Sequence, residues 1–505
     1  MRAIQCLAAM VMGLAVAAAG LVHAEPAPAP HVEAVVADDN PLPADASVKQ
    51  SIVVNGRRLD YTATVGKLSV VDDGGKTIGE VVFTAYRLDG AGPGRPVTFA
   101  FNGGPGAAAA YLNFGAIGPK TVDFGRQGDS LSAAGEAMVN PSTWLDFTDL
   151  VFVDPIGTGY SRSLLPKDEA VKRFYSLQPD IDYLSQAVAD WLARYGRLSS
   201  PKYIVGESYG GFRAPRIAHH LQLNQGVGVS GLVMISPLLD WGDRSDPDVS
   251  VFPWIARLPS MAAARLEHDG QLTPQALAPV EDYARGAFAV DLLKGRSDPA
   301  ATGRIVDQVS ALTGLDHGLV ASLGGRVDPQ TYLRERFRGD GLIASIYDAN
   351  VTDQDPFPFS AQRRADDPIL GASIAPISAA ATDFMTRTVD WKAGRAYVLY
   401  NREIDKAWLW GDGELAESLT DLRQALTLDP RLKVIIAHGY SDIITPYFAS
   451  RMMIDQFPPM GDPSRLKLAV YPGGHMFYAR PDSRAALHRD VQALYEGSGA
   501  PTPAR

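Results

Sequence analysis

Cysteine is almost missing from this chain of 505 residues: Cys6 is the only one, and it sits in a segment that reads as a leader removed on export. The mature chain is therefore expected to have no disulfide, no thiol nucleophile and no cysteine-based metal site. Surplus positive charge is missing as well. A formal net charge of -10 and a pI near 5.4 argue against nucleic acid or an anionic membrane as the main partner, since either needs clustered Lys and Arg. There is no HExxH zinc motif and no Rossmann-type glycine fingerprint, and the adjacent His219-His220 pair falls on an expected helix. Neighbouring helical residues point about 100 degrees apart and chelate one ion poorly. No metal and no organic cofactor are expected.

The chain does carry export and tether signals at its start. Residues 1–24, MRAIQCLAAMVMGLAVAAAGLVHA, show an early Arg2, an apolar run and a small-residue end, the pattern of a signal peptide cleaved after Ala24. An uncleaved anchor is the alternative, because the run is near the length of a membrane span. Export to the periplasm or beyond the cell is the expectation, with no membrane association after cleavage. Residues 25–47 are rich in Ala, Pro and acids and read as an extended tether. From Ser51 short alternating runs with Asn-Gly and Asp-Gly-Gly turns predict leading antiparallel strands.

The most informative stretch is YIVGESYGGFRAP, residues 203–215. An apolar strand runs into Gly-Glu-Ser-Tyr-Gly and then into helix, which makes Ser208 the candidate nucleophile of a G-x-S-x-G elbow. Side chains two before and two after the serine would collide there, hence Gly206 and Gly210. The Tyr209 N–H, at the helix start, points where an oxyanion would form. Upstream, the strand PVTFAF enters the glycine loop of residues 102–106, which exposes further backbone N–H groups, and DLVFVDPIGTGYSRS reads as a buried parallel strand ending in a second glycine turn. The stretch QPDIDYLSQAVADWLARYG has Ile181, Leu184, Val188, Trp191 and Leu192 at helical spacing. With GLVMISPLLDW following the post-serine helix, strand and helix alternate as in a doubly wound parallel sheet.

Alternation stops over residues 242–394, which read as a largely helical cap or, alternatively, a separate domain; strands are expected to resume with RAYVLYNREIDKAWLWGD and RLKVIIAHG. A serine needs a base and an orienting acid. In the α/β-hydrolase order of serine, acid, histidine, the strand VIIAHG leads to Asp442 and the strand LKLAVY leads to His475. His438 reads as structural, and His488 as a surface residue of an amphipathic helix. Trp408 and Trp410 are candidates for a pocket wall, or else core or cap-contact residues.

With these blocks in order, the region from about residue 48 to the end resembles a serine carboxypeptidase of bacterial type: Asn102-Gly103-Gly104-Pro105-Gly106, the run from Asp154 to Ser161, Gly206-Glu207-Ser208-Tyr209-Gly210-Gly211, Asp442 and Gly474-His475-Met476. The resemblance implies an α/β-hydrolase fold, mostly parallel sheet flanked by helices, over residues 48–505, with Ser208 as nucleophile, His475 as base and Asp442 as its orienter. It further implies an oxyanion hole from the N–H groups of Gly104 and Tyr209, and recognition of the substrate carboxylate by Asn102 and Glu207. Carboxylate binding would require Glu207 to be protonated, so an acidic optimum is expected. The sequence departs from the family at Ala100, where a Trp is usual, at Ala116, where a second acid is usual, and at Ala107, where a disulfide cysteine is usual. The expected activity is hydrolysis of C-terminal residues from peptides, with an esterase or acyltransferase on the same triad as the alternative and a non-catalytic binding protein as a third.

Overall fold

The computed structural model describes residues 41–125, 136–241, 249–411 and 416–497. The expected leader and most of the expected tether lie outside the described residues. Three antiparallel strands come first, β1 (Ala46–Val54), β2 (Arg57–Val71) and β3 (Thr77–Leu88). Asn55 and Gly56 between β1 and β2 both have positive φ, 50° and 77°, as a two-residue hairpin turn that follows the strand twist requires. Packing takes in more of the expected tether than its composition suggests. Leu42 is only 4% exposed, and the Asp45 carboxylate accepts from the Lys67 N–H at 3.1 Å. The end of the stretch read as tether is therefore packed against β2, because its one leucine has an apolar site to fill.

The remaining long strands are β4 (Val97–Phe101), β5 (Asp149–Val153), β6 (Lys202–Glu207), β7 (Gly231–Ile235), β8 (Lys433–Gly439) and β9 (Leu466–Tyr471). With the short strand Arg162–Ser163 beside β3 they form a ten-stranded sheet among the described residues, in the order β1-β2-β3-β5-β4-β6-β7-β8-β9. From β5 across to β9 every pairing is parallel. Strands β4, β5 and β7 are buried along their whole length, which is why they read as unbroken apolar runs.

Helices α1 (Leu177–Arg194) and α2 (Tyr209–Asn224) cover one face. Ile181, Leu184, Val188 and Trp191 of α1 all enter that core, and Trp191 meets Phe99 of β4 edge-on at 5.4 Å. Between β7 and β8 lie α3 (Phe252–His268), α4 (Pro274–Tyr283), α5 (Pro299–Thr313) and α6 (Pro368–Asp383). The Asp and Pro residues of this region have a local cause: Thr273, Asp298 and Asp367 accept from the first N–H groups of α4, α5 and α6, each followed by Pro at the first helical position. Its own apolar core includes Met261, Leu277, Ile305 and Tyr332 and continues into Ile443, Tyr447 and Phe448, just past Asp442. Helix α7 (Leu419–Leu428) leads to β8, and α8 (Pro481–Glu496) covers the second face, where Tyr495 stacks on Tyr203 at 3.6 Å.

Two local expectations are corrected. Residues 395–401 form no strand of the sheet; they run extended across the front of it, with single bridges from Val398 to Gly159 and from Tyr400 to Ala107, and then enter the helix Arg402–Ala407. Hydrogen bonds to two loops, rather than to a strand, hold this segment. His488 is not a free surface residue: it is half-buried, 3.0 Å from Asp146 and edge-on to Phe147.

Candidate active site

Each candidate residue sits where a strand of the parallel region ends. Ser208 follows β6 with φ 59° and ψ -123°, a conformation a non-glycine residue keeps only when its surroundings force it. The surroundings are specific. A Cβ on Gly206 would lie 1.8 Å from the Gly210 carbonyl, and one on Gly210 would lie 2.2 Å from the Phe101 carbonyl. The Ser208 N–H donates to Ile235 O at 2.9 Å and its carbonyl accepts from Gly211 at 2.9 Å, so neighbouring backbone fixes the elbow and leaves the side chain partly exposed.

Asp442 and His475 follow β8 and β9. The Asp442 Oδ2 atom is 2.8 Å from His475 Nδ1, and Oδ1 accepts from the N–H groups of Ile444 and Thr445 at 2.9 Å each. Both side chains are buried. Thr445, which sequence reasoning missed, has its hydroxyl 2.9 Å from Asp442 Oδ2, 3.0 Å from His475 Nδ1 and 2.9 Å from Ser236 O. A hydroxyl has one proton, so donation to one acceptor leaves its lone pairs for the imidazole N–H. Its position three residues beyond an Asp, in a turn, is the only trace of this in the sequence.

The inserted region holds the histidine loop. The His475 N–H donates to the Tyr347 carbonyl, and the Tyr347 ring stands edge-on to the imidazole at 5.4 Å. Asp348 accepts from Ser441 Oγ at 2.8 Å and from Arg480 at 2.6 Å, and Arg480 also reaches Glu267 of α3 at 2.5 Å. One strap thus grips the loops of both Asp442 and His475. No motif marks it in the sequence, because its partners lie 93 to 213 residues apart, in different elements.

The glycine loop after β4 lies beside the elbow. A Cβ on Gly103 would be 2.5 Å from the Tyr209 N atom. The loop turn is closed by Ala107 N–H donating to Gly103 O at 3.1 Å, which leaves the Gly104 N–H outside it. Tyr209, first residue of α2, has no carbonyl one turn back for its N–H. Residues 395–401 brace the loop: Ala108 N–H donates to Leu399 O at 2.9 Å and Asn401 N–H to Gly106 O at 2.8 Å. Below it, Arg213 of α2 donates to Asn102 O at 2.6 Å and to Asp180 of α1 at 2.6 and 3.1 Å.

Ser208, His475, Glu207, Gly104 and Tyr209 line one cavity of about 250 Å³. Asn102 does not line it; it stands behind Glu207, donating to Oε2 at 3.0 Å and accepting the Leu112 N–H at 3.0 Å. The other carboxylate oxygen, Glu207 Oε1, is 3.6 Å from His475 Nε2 and accepts no hydrogen bond. Burial pushes the Glu207 carboxyl above its usual range, against the pull of the nearby His475 and Asn102. One wall is aromatic: Trp410 stacks on Trp241 at 3.7 Å and meets Tyr209 edge-on at 5.4 Å. Trp408 instead packs in a small buried cluster with Phe212 and Leu177, so the two tryptophans take one role each. Ala100 and Ala116 are fully buried and face no part of the cavity.

Residues 84–241 match the family model described as serine carboxypeptidase. Over that stretch the chain is similar to the serine carboxypeptidases. The matched span contains Asn102, Gly104, Glu207, Ser208 and Tyr209, while Asp442 and His475 lie beyond it. Similar serine carboxypeptidases include serine carboxypeptidase-like 9 of Arabidopsis thaliana, 24% identical over 28% of this chain and 33% of that one. Serine carboxypeptidase 1 of Hordeum vulgare is 29% identical over 26% of this chain and 25% of that one. A pheromone-processing carboxypeptidase KEX1 of Colletotrichum graminicola is 33% identical over 25% of this chain and 19% of that one. The aligned stretch thus spans a fifth to a third of these curated relatives. The crystal structure of a prohormone-processing carboxypeptidase of Saccharomyces cerevisiae covers 86% of this chain and 91% of its own with a TM-score of 0.52 at 15% identity. That likeness is one of fold, the α/β-hydrolase fold, and it runs over most of the chain.

Proposed function

We propose that this protein is an exported serine-type carboxypeptidase that removes C-terminal residues from peptides through an acyl-enzyme on Ser208. The observation that carries the reading is Ser208 on a strained elbow in the same cavity as His475, whose far nitrogen is held by buried Asp442 at 2.8 Å. The Ser208 oxygen attacks the carbonyl carbon of the last peptide bond as its proton passes to His475 Nε2. Asp442 holds the imidazole in the tautomer that can accept and stabilises the imidazolium that results. The N–H groups of Gly104 and Tyr209 receive the carbonyl oxygen as it becomes an oxyanion. The imidazolium then protonates the leaving amine, which departs as the C-terminal amino acid. Water repeats the sequence on the ester, giving a shortened peptide and free Ser208.

Carboxylate recognition rests on Glu207, held by Asn102. Protonated on Oε1, it donates to the substrate carboxylate; ionised, it repels it. An esterase or acyltransferase is the second reading, favoured by one observation: alanine occupies positions 100 and 116, so neither position supplies a polar group to the cavity. Residues 1–24 supply the export signal in this reading, and the N-terminus of the protein recovered outside the cytoplasm is expected at Glu25. Hydrolysis of one N-blocked dipeptide as free acid and as C-terminal amide tests the function. A carboxypeptidase cleaves the free acid far faster; equal rates would move the assignment to the esterase reading.

A further inference from the structure

Resting on the carboxypeptidase reading, the site has to hold a substrate carboxylate with alanine at positions 100 and 116. Among the described residues no Lys or Arg lines the cavity, so the donors these residues offer a substrate carboxylate are neutral ones. Glu207 supplies one when protonated, and its Oε1 atom is buried with no hydrogen-bond partner.

A second such atom lies in the same cavity. Tyr111, in the short helix Ala110–Leu112 that follows the glycine loop, lines the cavity, is 2% exposed, and its hydroxyl oxygen makes no hydrogen bond. The Ser373 hydroxyl beside it is already donated to Leu370 O at 3.0 Å. A buried phenol without a partner costs stability unless something bound satisfies it. Burial pushes its pKa up to about 12, so the group remains a donor across any working pH.

We propose that the Tyr111 hydroxyl donates a hydrogen bond to the C-terminal carboxylate of the substrate, paired with the protonated carboxyl of Glu207. Two polar atoms without a hydrogen-bond partner, one on each residue of the same cavity, offer one donor to each oxygen of a carboxylate. The ring of Tyr111 belongs to the apolar core, so the hydroxyl alone is available for this role and phenylalanine preserves the packing.

The test compares wild type with Tyr111→Phe on an N-blocked dipeptide as free acid and as C-terminal amide. The acid-to-amide ratio of kcat/KM is expected to fall about ten- to a hundredfold in the variant, through KM, as for loss of a hydrogen bond to a charged group. Tyr347 also lines the cavity, and Tyr347→Phe provides the comparison. An unchanged ratio in Tyr111→Phe overturns the proposal, as does a fall in Tyr347→Phe alone. If the wild type does not prefer the free acid, the carboxypeptidase reading and this one fail together. If it does and Tyr111→Phe matches it, only the Tyr111 assignment fails.

Discussion

Replacing Asp180 by asparagine should destabilise the protein severely although Asp180 touches no substrate. Its carboxylate takes two hydrogen bonds from Arg213, at 2.6 and 3.1 Å, and one from the Tyr183 hydroxyl at 3.1 Å. The ion pair is almost fully enclosed, with side-chain exposures of 1% for Arg213 and 0% for Asp180. An exposed pair of this kind contributes about 0 to 1 kcal/mol, but breaking a buried one costs roughly 3 to 5 kcal/mol because the surviving charge stays desolvated. The survivor here is a guanidinium, which cannot shed its proton to escape the cost. Beyond the neutral amide oxygen of the new asparagine, it has the Tyr209 ring, 4.6 Å away, and the Asn102 carbonyl to face, and no counter-charge. Both belong to the oxyanion side of the site, so activity should fall together with stability. Urea unfolding followed by tryptophan fluorescence, with Ser208 labelling by a fluorophosphonate as the second readout, measures both. The double variant Asp180→Leu, Arg213→Met should recover more than half of the loss, since no charge is then buried. A cost below about 1 kcal/mol for Asp180→Asn, or a double variant worse than the single, would refute the reasoning.

Further outcomes follow from the same contacts. Burial raises the Asp154 carboxyl to about 7, above its unfolded value of about 3.9. The folded state therefore keeps a proton that the unfolded state releases, and this group's contribution declines as pH rises from about 4 to 7. Asp154→Asn, whose amide oxygen can still accept from Ala109 N–H while its amide nitrogen donates to Tyr397 Oη, should gain stability relative to wild type over that window, by thermal unfolding at a series of pH values. For Glu207, raised by burial, KM for the free acid should rise as pH climbs through its pKa, and Glu207→Gln should flatten that rise in initial-rate profiles. Asp348→Asn loosens the strap between Arg480 and the Asp442 loop, and should lower kcat about tenfold with little change in KM.

The parts of the site that lie next to one another in sequence were legible from it. Gly206, Ser208 and Gly210 announce a turn that only glycine tolerates, and the strands of the parallel region announce themselves by unbroken apolar runs. Asp442 and His475 could be read because each follows such a run. What stayed hidden depends on long-range packing: the Tyr347 carbonyl on His475, Thr445 beside the acid, Arg213 paired with Asp180. Residues 395–401 misled because alternating aromatic and aliphatic residues suit either a sheet or an extended segment bridging two loops. At the other end of the fold, Leu42 showed that a few apolar atoms suffice to dock a stretch whose composition is that of a tether.

The most direct test of the central claim is peptide mapping by mass spectrometry after reaction with a fluorophosphonate. The account predicts a single adduct, on Ser208, lost in Ser208→Ala and much slowed in Asp442→Asn, by on the order of a thousandfold or more. An adduct on another residue, or none on a folded protein, would contradict it.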